Sequence, residues 1–300
     1  MSPSYSSLAR RVPGVRDPKL IKNRKPWGLM LHTTGGGVTS KARKEGKTPL
    51  DVALEIYIKS QNGSNGYPWG GPNYVIDLDG SIHQIAPDEA QTEHGGGGNR
   101  EAYRSGSWTS RVSPETVRQW RRQWPGTEHP YKLFPSYSPN TDFIGVEMIP
   151  IGDGFGGPPM APGLRFSKKQ HDAAIAIGRD LANRFGWPAD WASTRLVGHE
   201  DVDPIERYDT KGGWDPGWLR EAPYFDFGYV RRSLGGRERG IASGPERGIA
   251  SGPERGVASG PERGVASRRG GVSLPLVIGV GAGLLALGIF AVTAGSDEAI

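Results

Sequence analysis

Gly28-Leu29-Met30-Leu31-His32-Thr33-Thr34 is a short apolar run that ends on a histidine. Such a run reads as a strand, and the histidine stands where the strand gives way to a loop and can be held rigidly at a pocket mouth. The same arrangement returns about 170 positions later in Leu196-Val197-Gly198-His199-Glu200-Asp201. Asp215, in Trp214-Asp215-Pro216-Gly217, completes a candidate set of metal ligands, with Asp209, ten residues after His199, as the alternative. The chain has no cysteine, so the third ligand cannot be a thiolate and a carboxylate must supply it. Two imidazoles and a carboxylate suit zinc, and would leave one position for water.

Between these two runs the pattern alternates strand and helix. Leu50 to Gln61 reads as a helix with Asp51 near its start and Ala53, Leu54, Ile56 and Tyr57 on its apolar side. Tyr74 to Ile85 alternates around Asp79-Gly80, a hairpin signal because glycine tolerates positive φ in the turn. Phe143 to Ile149 is the next strand, and Glu147 is its only charge. A long helix is expected from Lys168 to Phe185, opened by a capping box of Ser167 and Gln170, closed by Gly186, with Pro188 just beyond. The implied class is α/β, with a mixed central sheet flanked by helices.

The expected domain runs over 25–234, preceded by a polar, basic arm over 1–24 that lacks an apolar stretch long enough for a signal-peptide core. Residues 96–140 form a long insertion with Tyr103, Trp108, Trp120, Arg121, Arg122 and Trp124. Two readings stay open for it: aromatic and arginine side chains that bind substrate, or tryptophans that pack the insertion onto the domain. From 235 to 272, Glu-Arg-Gly-Ile/Val-Ala-Ser-Gly-Pro recurs with a period of eight. Its glycine, serine, proline and paired charges cannot bury enough surface to fold, so a flexible tether is expected. Leu274 to Ala294 then carries no charge and is long enough to cross a bilayer, which predicts a transmembrane helix over 273–295 and a short acidic tail over 296–300. Gly279 and Gly283 stand at a spacing that permits weak self-association of such helices. Arg268 and Arg269 before the span, against Asp297 and Glu298 after it, put the domain on the cytoplasmic or topologically equivalent side. The formal charge of +5 suits an anionic wall or membrane surface, and no nucleic-acid-binding module is present.

Four segments, in order, resemble the zinc-dependent N-acetylmuramoyl-L-alanine amidases, the amidase-2 family that shares its fold with peptidoglycan recognition proteins. They are Leu29-Met-Leu-His-Thr-Thr-Gly-Gly, Asn73 to Pro87 with Glu93-His94-Gly95 after it, Phe143-Ile-Gly-Val-Glu-Met, and Gly198 to Pro204 leading to Asp215-Pro-Gly. The resemblance implies hydrolysis of the bond between the lactyl group of N-acetylmuramic acid and L-alanine in peptidoglycan, as in phage endolysins. It implies His32, His199 and Asp215 as zinc ligands, Glu147 as general base, and Lys211 as the cation that stabilises the oxyanion, with Arg207 competing for that part. His94, Tyr74 and Arg207 are expected substrate contacts, His94 alternatively supporting the ligands from behind. Pro72 stands where some members place a catalytic tyrosine, which favours the glutamate-type arrangement. A peptidoglycan-recognition or docking module that does not cut is the alternative.

Overall fold

In a computed structural model, residues 4–15, 20–21, 24–34, 37–63, 70–95, 99–136, 138–151, 165–209, 215–217 and 224–236 are described. The strands are β1 (Arg10–Arg11), β2 (Gly28–Thr33), β3 (Tyr74–Ile76), β4 (Ile82–Gln84), β5 (Phe143–Met148) and β6 (Leu196–Gly198). They form one sheet in the order β1-β4-β3-β5-β2-β6. Only β3 and β4, joined by the turn at Asp79-Gly80, pair antiparallel; β3, β5, β2 and β6 run parallel side by side. The sheet is thus mixed, as the alternation of strand and helix predicts.

The helices are α1 (Gly37–Glu45), α2 (Pro49–Gln61), α3 (Arg100–Arg104), α4 (Pro114–Gln123), α5 (Pro139–Asp142), α6 (Lys168–Phe185), α7 (Ala192–Arg195), α8 (His199–Val202) and α9 (Phe227–Ser233). α2 opens with a capping box of Thr48 and Asp51, and α6 with the expected box of Ser167 and Gln170; α6 ends on Gly186 at φ 64°. Each box satisfies backbone N–H groups that the first turn cannot pair.

Register sorts the strand residues between two faces. His32 pairs with Glu147 across β2 and β5, and Glu147 with Val75 across β5 and β3, so these three share the front face. Leu31, Val146 and Tyr74 share the back. α1 and α2 cover part of the front through Val38, Ala42, Val52 and Ala53, packed with Val75. The back belongs to the main core, where Leu29, Ile76 and Ile144 meet Ala174, Ile177 and Leu181 of α6.

Two expectations need correction. The described residues of the arm over 1–24 belong to the folded unit: β1 pairs with β4, Ser6 N–H donates to Gln84 Oε1 at 2.7 Å, and Arg24 is buried. The Arg24 guanidinium donates to the carbonyls of Asp88, Ala90, Asn140, Thr141 and Phe143, so a residue that reads as a polar tail ties two loops to the sheet. Burial lowers its pKa to about 10, against the opposing pull of Asp88 and Asp142. The second concerns Tyr74, an expected substrate contact. It is fully buried on the back face, where its hydroxyl donates to Asp88 Oδ1 at 2.6 Å.

Of the two readings of the insertion, the packing one is what the structure shows. Trp108, Trp120 and Trp124 are buried, and Trp108 meets Trp120 edge-on at 5.2 Å. Residues 237–300, with the expected tether, transmembrane span and tail, lie outside the described residues. Among the described residues no helix is long and apolar enough to cross a membrane.

Candidate metal and catalytic site

The parallel strands β6, β2 and β5 lie side by side and end together. Leu31 pairs with Gly198 and His32 with Glu147, so the next position on β6 brings His199 level with His32. His199, His32 and Glu147 therefore form a row at the carboxyl ends of three neighbouring strands, where open α/β sheets place their ligands. The His32 and His199 rings lie 4.7 Å apart, centre to centre. Asp215 closes the group: Oδ2 is 2.9 Å from His199 Nδ1 and Oδ1 is 3.8 Å from His32 Nδ1. One donor atom each from His32, His199 and Asp215 lie within 4.8 Å of one another, and all three residues are buried. Among the described residues Asp215 fills the third place; the side chain of Asp209 and all of Lys211 lie outside them.

Neighbouring groups fix these donors. The Thr33 N–H donates to Asp215 Oδ1 at 2.8 Å. Glu200 N–H donates to the Asp215 carbonyl at 3.1 Å, and Glu200 Oε1 accepts from Gly217 N–H at 2.8 Å, so the residue after His199 clamps the Asp-Pro-Gly segment. Asp201 Oδ2 accepts from Gly198 N–H at 2.8 Å and its Oδ1 from Trp124 Nε1–H at 2.7 Å. Asp203 takes the Tyr103 hydroxyl at 2.5 Å and an Asn99 amide N–H at 3.1 Å. The insertion is therefore bolted to the loop that carries His199. In the sequence, Glu200, Asp201 and Asp203 read only as part of a motif; their partners lie on distant segments.

His94 settles behind His32. Its ring lies where a Gly145 side chain would be, since a Cβ there would stand 2.5 Å from His94 Cγ. His94 Nε2 faces the Phe143 carbonyl at 3.2 Å, and Nδ1 faces His32 Nε2 at 3.0 Å. A carbonyl only accepts, so His94 carries its proton on Nε2 and its Nδ1 accepts from His32 Nε2–H. That leaves His32 Nδ1 bare on the side of Asp215. Of the two parts expected of His94, the supporting one matches this geometry. Burial, then the neighbouring His32, push the His94 pKa well below the ordinary range.

The electrostatics follow from burial and charge. Burial, then Arg207, lower His199 to about 3, against Asp215. Burial works to raise Asp215, but His199 and then His32 override it and hold the carboxyl far below the usual carboxylate range. Glu147 goes the other way, raised by burial and by Asp215 against Arg207 and the Tyr57 phenol. Its Oε2 is buried and accepts no hydrogen bond among the described residues. Arg207, expected as a substrate contact or oxyanion cation, places Nε 3.6 Å from Asp215 Oδ2 with its side chain 23% exposed. Tyr57 counts in the sequence as one apolar position of a helix, and in the structure it packs against the cluster that contains Val75, the register partner of Glu147.

Comparison with known proteins accords with this site. The Amidase_2 family, described as N-acetylmuramoyl-L-alanine amidase, matches residues 22–218. No curated protein sequence matches the chain. Among solved structures, an AmpD selenomethionine derivative is 19% identical, covering 77% of this chain and 96% of its own, with a TM-score of 0.42. The endolysin amidase LysCS from Clostridium intestinale URNW is 15% identical over 78% of this chain and 99% of its own, TM-score 0.37. The Ph2119 endolysin from Thermus scotoductus MAT2119 bacteriophage Ph2119 is 14% identical over 75% and 93%, TM-score 0.36. The family match begins in the arm held by Arg24, takes in both histidines and the insertion, and runs past Asp215, well over half of the 300 residues; the chain belongs to the N-acetylmuramoyl-L-alanine amidase family.

Proposed function

We propose that this chain is a zinc-dependent hydrolase of the amide bond between N-acetylmuramic acid and L-alanine in peptidoglycan. The observation that carries the reading is the convergence of His32, His199 and Asp215 at the carboxyl ends of adjacent parallel strands, with Glu147 one strand away. Two imidazoles and one carboxylate, oriented by Thr33, Glu200 and His94, make a donor set that fits zinc. Zinc bound there would polarise the scissile carbonyl and bring the pKa of a water down to about 7.

The protein's own groups do the rest. Glu147, with Oε2 lacking a partner, takes the proton of the attacking water and returns it to the L-alanine amine as the C–N bond breaks. A carboxylate raised by burial and by Asp215 is a better proton acceptor than an exposed one, and a competent donor afterwards. Arg207, beside Asp215, supplies positive charge near the oxyanion that forms at the carbonyl. The reading extends to the C-terminal segment: Leu274 to Ala294 anchors the enzyme in a membrane and the octapeptide repeats form a flexible tether, as in a lytic enzyme held at a membrane until the wall is accessible.

The test is to purify the full chain in detergent, measure bound zinc, and count new L-alanine amino termini after incubation with peptidoglycan. One zinc per chain and chelator-sensitive release are expected, with release lost and zinc kept in Glu147→Gln. Zinc-free protein that binds peptidoglycan without releasing those ends would make this a recognition module instead.

A further inference from the structure

α4 divides its side chains between two sides. Thr116, Val117, Trp120 and Gln123 are buried. Trp120 and Trp124 donate their indole N–H groups to the carbonyl and carboxylate of Asp201, two residues after His199. Arg118, Arg121 and Arg122 stand at i, i+3 and i+4, which places them together on the opposite side, and all three are exposed. Glu115 is the one acid of this helix, and its two oxygens take Arg118 and Gln119. Arg121 and Arg122 have no acidic partner among the described residues. The imbalance extends beyond the helix: residues 99–136 hold seven arginines and lysines against three glutamates, so this segment carries +4 of the chain's formal +5. The C-terminal end of a helix favours cations, which explains a basic last turn. It explains neither Arg118 nor the excess along the whole segment.

We propose that this arginine side is a docking surface for the carboxylates of peptidoglycan, engaging stem peptides next to the one that is cut. A guanidinium pairs with a carboxylate through two parallel N–H donors and keeps its charge at any physiological pH. Stem peptides that are not cross-linked end in a carboxylate and recur along the polymer, which suits a group of exposed cations better than a single small ligand does. The two indole bonds tie the helix to the loop of His199. A helix is about 10–12 Å across, so the arginines stand about that far beyond the loop, within reach of a neighbouring stem. The inference rests on peptidoglycan being the substrate. The surface adds hold on the polymer and does not touch the bond that breaks.

Sedimentation of the full chain, in detergent, with purified peptidoglycan tests this, in a Glu147→Gln background that keeps the polymer intact. Exchanging Arg118, Arg121 and Arg122 together for glutamine, which keeps helix propensity, is expected to weaken binding about tenfold, the scale of three exposed ion pairs, with bound zinc kept. Lysine at the same three positions keeps the charge and is expected to recover most of the binding; no recovery would mean that charge is not what binds, and the proposal fails. On peptidoglycan whose carboxylates have been amidated, the arginine and glutamine forms should bind alike. Equal binding of the two on the native polymer, or an undiminished gap on the amidated one, overturns the proposal. A chain with its arginines intact that neither binds peptidoglycan nor, with Glu147 restored, cuts it would remove the substrate assignment itself, an outcome distinct from tight binding that ignores the arginines.

Discussion

The sheet carries a buried ionisable cluster on each face, and the two are built differently. On the back, Asp88 Oδ1 takes the Tyr74 hydroxyl and a Gln84 amide N–H, Oδ2 takes Arg184, and Arg184 continues to Asp180, which also holds Ser6. Both oxygens of that carboxylate are occupied. On the front, three donor atoms point at one another across a few ångströms and Glu147 Oε2 has no partner among the described residues. Both clusters bury charge, which is costly unless compensated. The back cluster is compensated from within the protein, whereas the front one leaves Glu147 Oε2 without a partner among the described residues. Internal saturation marks a scaffold, and residual valence marks a site.

The contrast can be broken or sharpened at four positions. His199→Ala should have the largest effect, with bound zinc and release of L-alanine ends both falling to background; retained zinc at one per chain would remove His199 from the donor set. Gly145→Ala comes next. The new Cβ cannot share space with the His94 ring, so His94 must move and release His32 Nε2. Competition with a chelator should show zinc affinity about 10–100-fold weaker, and melting a stability loss of about 1–3 kcal/mol. Unchanged affinity would mean that His94 does not orient His32.

Tyr74→Phe should act only on the back cluster, costing about 1–3 kcal/mol of stability by removing the phenol donor from Asp88 Oδ1 and leaving it the longer bond from Gln84, with kcat unchanged. A fall in kcat at an unchanged melting temperature would return Tyr74 to the site. The smallest effect concerns His171, buried behind the sheet and stacked on Phe225 at 4.3 Å. Its Nδ1–H donates to the Ser167 carbonyl at 2.8 Å and its Nε2 accepts from Asp226 N–H at 3.0 Å, so only the neutral ring satisfies both. Burial lowers its pKa below 6.5, the value expected unfolded, against the Ser167 carbonyl and Asp226. The unfolded chain therefore binds the proton first. The stabilisation is complete above about pH 6.5 and is lost as pH falls toward the folded value, by at most about 1.4 kcal/mol per pH unit. Melting from pH 7.5 to 5.5 should show a smaller decline in His171→Phe than in the wild type; parallel curves would refute the assignment.

Much of the site is legible in the sequence because its residues sit at ends of elements. His32, His199 and Glu147 each close or follow an apolar run, and Asp-Pro-Gly marks Asp215. What is not legible depends on which strands become neighbours. Tyr74 and Val75 are adjacent in the chain, and only the pairing with β5 decides that the second shares a face with Glu147 and the first does not. Tyr57 belongs to a helix whose inner side could have met either face. Arg24 leaves no periodic trace because its partners are backbone carbonyls, and β1, with two residues, is too short for any pattern. Trp120 and Trp124 of the insertion could be resolved only by their acceptors, the Asp201 carbonyl and carboxylate.

Asp201 links the insertion to the turn that begins at His199, and this bears on how such a chain can vary. Loops usually lengthen and shorten freely between relatives because little depends on them. Here removal of residues 99–136 would strip Trp120, Trp124, Tyr103 and Asn99 from Asp201 and Asp203 and uncover the buried loop that follows His199. A shortened descendant would have to acquire new partners for those two aspartates in the same step, so the length of this surface segment is held fixed by the interior it covers.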